Sequence, residues 1–575
     1  MTRIVLIFVS NQLRLVIVGL VFAILFFNCN GSNPVNIQKA PKITHNTRIS
    51  EDETWTSSQT HLITEHLIVE NATLTIEPGT KIEFQDDASL IITTNGALHA
   101  IGNESDSIRF IHSGLPPNSW GKIYFNKNCR IEICQLEYCV LENGGSGDSL
   151  SAMMICCQVV PSIRHSSIRN SVTNGIRIIG PVEMTNFGEN EIINNRLAPI
   201  ILSTSAIAAL KPNCLISGNG LNVIRVVKTD SFTQDVTWPA MNVPYQFETD
   251  LQVYEHQIHL QPGVKMQFLP PNGIQITQKG TFIAIGKPDS NIIFRGVQHG
   301  RGVWKGIQIN DIQQNSQLDF AYCKFDGGGN YPLITSDGTI VSTLVYCKYA
   351  HPDFSNCTFQ NSSGYGVIFD KDSEPTRFEN NTLLLNAGPP IRITPALIGR
   401  IKNNRFLTNG ENYIEVTHGN ITSGTYVHNI LIPYRLTGAI DIFYALLRIE
   451  PGTKIELTNM GSISVSAGGA LIADGNSVDT PIIFTGTFQT PGAWKYIYFG
   501  ADCNDGRCKL NYCHIEYGGG DIGWPANIYL EGVSPAITNC TIGFSKHWGI
   551  FKSNNANPDL SNSVFIGNSD GDIWP

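Results

Sequence analysis

Apolar and polar residues alternate in short bursts along this chain. After the Pro-Gly pair at Pro78, Ile82 and Phe84 fall on one side and Lys81 and Glu83 on the other, which is the period of a half-buried strand. Leu90 and Ile92 mark a second strand, GALHAIG from Gly96 a third, and a fourth ends on Phe110. No stretch beyond Trp55 carries a helical period. The pattern predicts an all-β chain of short strands.

The same landmarks then return in the same order. IEPGTKIEF from Ile76, LQPGVKMQF from Leu260 and IEPGTKIEL from Ile449 place Pro78, Pro262 and Pro451 184 and 189 residues apart. Trp120, Trp304 and Trp494, like Cys139, Cys323 and Cys513, are 184 and 190 apart. A fixed repeat is the mark of a stacked architecture. The expected organisation is residues 53–236, 237–424 and 425–575 as three tandem modules of about 185–190 residues along one axis. The third stops early at NSVFIGNSDGDIWP, level with the second tight coil of the second, so either the Trp574–Pro575 tail caps the open core or another subunit does.

Within each repeat the spacing tightens. Phe354, Phe378 and Ile401 are 24 and 23 residues apart, and Ile163 and Phe187 are 24 apart, about what one turn of three short strands requires. The pattern of an apolar residue, Asn, Cys or Ser, another apolar residue, a polar run, Gly and a further apolar residue resembles a right-handed parallel β-helix of the pectate-lyase-like kind, across essentially everything after Trp55. Such a solenoid would hold about twenty coils, a rod on the order of 100 Å long at about 4.8 Å per coil. Inward positions then stack like on like: Cys156, Cys347 and Leu530 correspond, as do Ser166, Cys357 and Cys540, all small or apolar. Asn runs such as NEIINN and ENNTLLLN suit its turns, where Asn tolerates left-handed backbone and bonds its own chain.

The amino terminus has a different character. Arg3 and Arg14 precede the apolar run Leu15–Phe27, followed by Asn28-Cys29, a length that suits a signal-peptide core. FFNC resembles a bacterial lipoprotein signal, which implies cleavage, acylation of Cys29, export, and a lipid anchor in the outer membrane or at the cell surface. The other reading is a signal anchor over Ile4–Phe27. Residues 30–52 read as a polar tether. The net charge of −9 supplies no basic footprint for nucleic acid.

Cys129 and Cys134 recur as Cys503 and Cys508, offset by 374, while the second repeat has Gln313 and Leu318 instead. Both members are present or both absent, which points to local disulfides in an exported protein; free thiols or a metal pair are the alternatives. No His or third Cys lies at ligand spacing, so no metal site is expected, and no cofactor.

The pectate-lyase-like fold carries many polysaccharide lyases and hydrolases. The polygalacturonase set, an Asn-Thr-Asp stretch and an Asp-Asp pair near a Gly-His-Gly, is missing; Arg400-Ile401-Lys402 resembles that family's Arg-Ile-Lys but stands without its acids. The remaining candidates recur threefold. Loops NGGSGD (Asn143, Asp148), DGGGN (Asp326, Asn330) and YGGGD (Tyr517, Asp521) follow the Cys139, Cys323 and Cys513 strands, and either line a shallow groove for sugar or a cation or make strained corners. Trp120, Trp304 and Trp494 either stack on sugars or pack inside. Threefold recurrence fits binding or architecture better than one asymmetric catalytic centre. The expected function is a non-catalytic surface or periplasmic protein whose long face binds glycan or another envelope partner. The alternatives are a polysaccharide lyase or hydrolase with one cleft built by neighbouring coils, marked by an Arg or Lys beside several carboxylates, and a passive stalk.

Overall fold

Ile82 pairs in parallel with Phe110, Phe110 with Leu141, and Leu141 with Ile168, each step being one coil further along the chain. All four side chains are buried. The computed structural model describes residues 40–180, 186–230, 232–313 and 316–575. Throughout them the chain winds as a three-faced coil of short parallel strands, as the alternation predicts. Only the inner face of each ladder is packed, as the alternating burial along the strands shows. Here the inner face holds Ile, Leu, Val and Phe, each contributing about 1.5–3 kcal/mol on burial. In the second repeat the inner stack is aromatic: Phe294, Phe325 and Phe359 lie ring on ring at 5.1 and 4.8 Å. Cys156, Cys347, Leu530, Ser166, Cys357 and Cys540 all lie in the interior.

The strands along each repeat take three roles in rotation. In the first repeat Lys81–Phe84, Leu90–Ile92 and Ala97–Ile101 lie on faces one, two and three. At the first junction the second-face strand Ile224–Lys228 pairs with Tyr245–Phe247, which in turn pairs with Lys265–Phe268, the counterpart of Lys81–Phe84. The second-face sheet of one repeat therefore continues as the first-face sheet of the next. The same exchange occurs where Ile414–Val416 pairs with Tyr434–Leu436. Since the coil has three faces, each junction turns the repeat about a third of a revolution around the axis. A 15-stranded sheet followed by the last six strands of a 13-stranded one spans the length, about 100 Å at about 4.8 Å per strand.

Two expectations change. Residues 42–49, placed in the polar tether, already form strands Lys42–His45 and Arg48–Ile49 that pair with Thr60–Ile63 and Leu67–Val69. The short segment lacks an apolar run because, as the outermost coil, it lays a mostly exposed strand on the next. At the other end Gly571–Trp574 is the last strand of a sheet, and Trp574 is 47% exposed on the outer surface rather than folded over the core. The signal segment and Cys29 lie outside the described residues.

Candidate functional site

The threefold features resolve first. Trp120, Trp304 and Trp494 are fully buried, and each indole Nε1 donates to a carbonyl at the end of a neighbouring first-face strand, Glu142, Asp326 and Glu516, at 2.7–2.8 Å. They are packing residues with one satisfied donor. The glycine loops are the corners these indoles pack against: a Cβ on Gly144 would sit 2.4 Å from Trp120 Cε2 and one on Gly518 2.9 Å from Trp494 Cε2. Neighbouring Gly145, Gly329 and Gly519 adopt φ of +88°, +91° and +76°, and Asn143 and Tyr517 also have positive φ. These loops turn the chain from face one to face two, so the rotation of roles puts them at three different corners of the prism. They do not align into one groove. Asp148 accepts from Leu150 N in its own turn, Asp326 from Asn361 Nδ2 of another coil, Asn330 is exposed, and Tyr517 stacks on Phe544.

The repeats differ in the segment that leaves each corner. In the second, residues 330–342 rise into a hairpin, Leu333–Ile334 against Ile340–Val341, whose Leu333 and Val341 pack on Tyr346 and Ile368. Arg392, 5% exposed, clasps it: its guanidinium reaches Asp337 of the hairpin at 2.5 Å and Glu415 at 2.9 Å, and Tyr365 donates to Glu415 at 2.6 Å. Beside the clasp opens a cavity of about 360 Å³ lined by Ser336, Asp337, Asp370, Lys371, Thr394, Thr417, His418 and Gly419. Burial works to raise both aspartates, but hydrogen bonds outweigh it: Thr335, Thr339 and Arg392 hold Asp337 well below the usual carboxylate range. The Tyr346 hydroxyl and Ser336 amide do the same for Asp370. Both stay ionised acceptors at neutral pH.

In the third repeat the corner delivers Trp524 instead. Asp521 turns the loop by accepting from Gly523 N at 2.9 Å, and Trp524 then meets Tyr498 and Tyr529 at 4.6 and 4.5 Å between centroids. Tyr498, Tyr529, Phe551 and Trp574 are register partners on four successive second-face strands, outward positions next to buried Ile497, Ile528 and Ile550. Tyr529 and Phe551 are parallel at 5.1 Å, Tyr496 flanks Trp524 at 5.6 Å, and Trp574 rests on Trp548 at 5.1 Å. Rings this close leave no slot between them; together they offer an aromatic surface. Burial, followed by the charges of Asp521 and Asp441, raises the Tyr496 phenol. Burial and a hydrogen bond to Glu531 raise that of Tyr498.

Residues 342–442 match the family model described as "Right handed beta helix region". The chain is a right-handed parallel β-helix repeat protein. No curated protein and no solved structure matches it.

The remaining candidates sit within the β-helix wall. Cys129, Cys134, Cys503 and Cys508 carry free thiols in the structure. Each pair flanks a one-turn corner. Among the described residues no cluster of three or more His, Cys, Asp or Glu is placed to hold a metal. Arg400 and Lys402 border a separate shallow pocket with Arg377 and Glu379. The aromatic surface had a signal in the sequence that only the coil register makes readable: Tyr498, Tyr529, Phe551 and Trp574 fall 31, 22 and 23 residues apart, one per coil.

Proposed function

We propose that this β-helix is a non-catalytic carbohydrate-binding protein of the cell surface or envelope. The observation that carries the reading is the outward aromatic column Tyr498–Tyr529–Phe551–Trp574 with Trp524 beside it. An outward strand position is ordinarily polar; four aromatic residues in register there make a ring surface suited to the C–H faces of sugars, with Asp521, Asp441 and Glu531 at hand to accept from their hydroxyls.

The cleft beside Arg392 has the composition that marks the enzyme reading, one Arg among several carboxylates in one repeat alone. Its chemistry favours binding. Glycoside hydrolysis draws on a carboxyl kept protonated by a raised pKa, whereas Asp337 and Asp370 are both pushed down, and Arg392 is consumed by two ion pairs. Binding supplies the first test. In affinity electrophoresis through gels containing neutral or uronate polysaccharides, the protein is retarded by at least one polymer, and Tyr529→Ala with Phe551→Ala removes most of the retardation. Shortened or unsaturated products in mass spectrometry would replace this reading with the lyase or hydrolase one; neither products nor retardation would leave a stalk.

For location, we propose export and a lipid anchor on Cys29. Cys29→Ala then releases the protein from the membrane fraction; an uncleaved, membrane-held variant would instead indicate the signal anchor.

A further inference from the structure

The hairpin cavity of the second repeat and the aromatic column of the third meet on one sheet. Gly419, in the wall of the cavity, belongs to Gly419–Ile421, the first strand of the seven-stranded sheet that ends on Gly571–Trp574. Because the second-face role moves by one face at the junction, the corner next to the hairpin becomes the start of the third repeat's second face. The outward register then runs unbroken from strand to strand: Asn420, Asp441, Ser464, Tyr498, Tyr529, Phe551, Trp574. Six strand steps of about 4.8 Å make a track about 29 Å long. Its first half is polar and its second half aromatic, and the cavity with Thr394, Thr417, Lys371 and His418 closes the polar end.

We propose that this column is a single binding track for a linear, uncharged glycan chain lying parallel to the β-helix axis, with its end or a side branch seated in the cavity beside the hairpin.

This deepens the carbohydrate-binding reading and rests on it. The occupant is set by shape and charge. A straight track one residue wide fits an extended polymer rather than a compact ligand, and aromatic faces take the apolar face of a sugar ring without asking for charge. Six carboxylates border it: Asp337 and Asp370 at the cavity, Asp441 and Asp521 beside Tyr496, and Asp502 and Glu531 beside Tyr498. Against these stand Arg392, paired with Asp337, Lys371, which lines the cavity, and Lys495 and Lys552, next in sequence to Tyr496 and Phe551. The balance is negative, which disfavours uronates and nucleic acid. Among the described residues Lys371 and His418 make no ion pair, and their exposed side chains can donate to hydroxyls in the cavity.

The test is a length series. Oligosaccharides of β-1,4-glucan, β-1,4-mannan and β-1,4-xylan, from disaccharide to octasaccharide, are titrated against the whole protein and against Ser464→Arg. That substitution puts a bulky side chain at the middle of the track, on an outward position remote from both ends; a thermal melt checks its fold. The expected result is that one neutral series tightens by at least about tenfold between disaccharide and hexasaccharide, and that Ser464→Arg, with its fold intact in the thermal melt, removes this gain. Oligogalacturonates bind more weakly at every length. Affinity independent of length, or a length gain that survives Ser464→Arg, would overturn the track and leave the aromatic surface as a short local site, with the carbohydrate reading intact. Tighter binding of the galacturonates would overturn the uncharged assignment. Binding of none of these sugars would count against both.

Discussion

Three tryptophans and the glycines beside them show how little room a corner of this coil allows. The indole fills the interior under the turn, its N–H is spent on a strand-end carbonyl, and the flanking glycine exists because the ring occupies the space of its missing Cβ. Gly144→Ala should therefore destabilise by about 1–3 kcal/mol through overpacking. Gly424→Ala, where a Cβ meets nothing within 4 Å, should be close to neutral in the same denaturant titration. The asparagine doublets divide their labour in a way that composition hides. Asn194 and Asn380 take the left-handed backbone, at φ 55° and 60°. Their neighbours Asn195 and Asn381 are buried and point to adjacent coils instead of to their own turn. Asn381 Oδ1 accepts from Cys357 N at 2.8 Å and its Nδ2 donates to Phe354 O at 3.0 Å. Asn381→Ala leaves that buried amide and carbonyl unpaired, so a loss of about 2–4 kcal/mol is expected in chemical denaturation. The sequence showed that Asn belongs at these turns, since residue type is local; which of two adjacent Asn bends and which bridges depends on the coil stacked beside it.

At the scale of elements, the hairpin Leu333–Val341 is the clearest addition to the plain coil, and it hangs on one arginine. The clasp of Arg392 on Asp337 and Glu415 has a definite pH response. Asp337 has a folded pKa depressed below its unfolded value near about 3.9, so its contribution is complete above that value and lost as pH falls below it. Amide exchange across residues 333–341 should hold steady from neutral pH to about pH 5, after correction for intrinsic rates, and rise relative to the coils below about pH 4. Exchange unchanged relative to the coils at low pH would show that the apolar contacts with Tyr346 and Ile368 hold the hairpin without the ion pair. Sequence alternation exposed the strands of the coil because a buried inner face leaves a period-two imprint. The hairpin and the cavity left none: they depend on Arg392 and Asp337, 55 residues apart in the chain, meeting across coils.

For the whole molecule, the stacked fold was readable because each coil repeats the same packing problem, and the solution recurs in the residues. The direction each repeat faces was not readable, because it is decided at two junctions, where Ile224–Lys228 hands its sheet to Tyr245–Phe247 and Ile414–Val416 to Tyr434–Leu436. The shallow groove that the equivalent loops were expected to line gives way to three separate corners around the axis, while the proposed track lies on one sheet, mainly of the third repeat. A rod with one marked side has a back. Turned over on a flat layer it would hide that side, so the proposed track requires the rod to hold one particular side toward its surroundings.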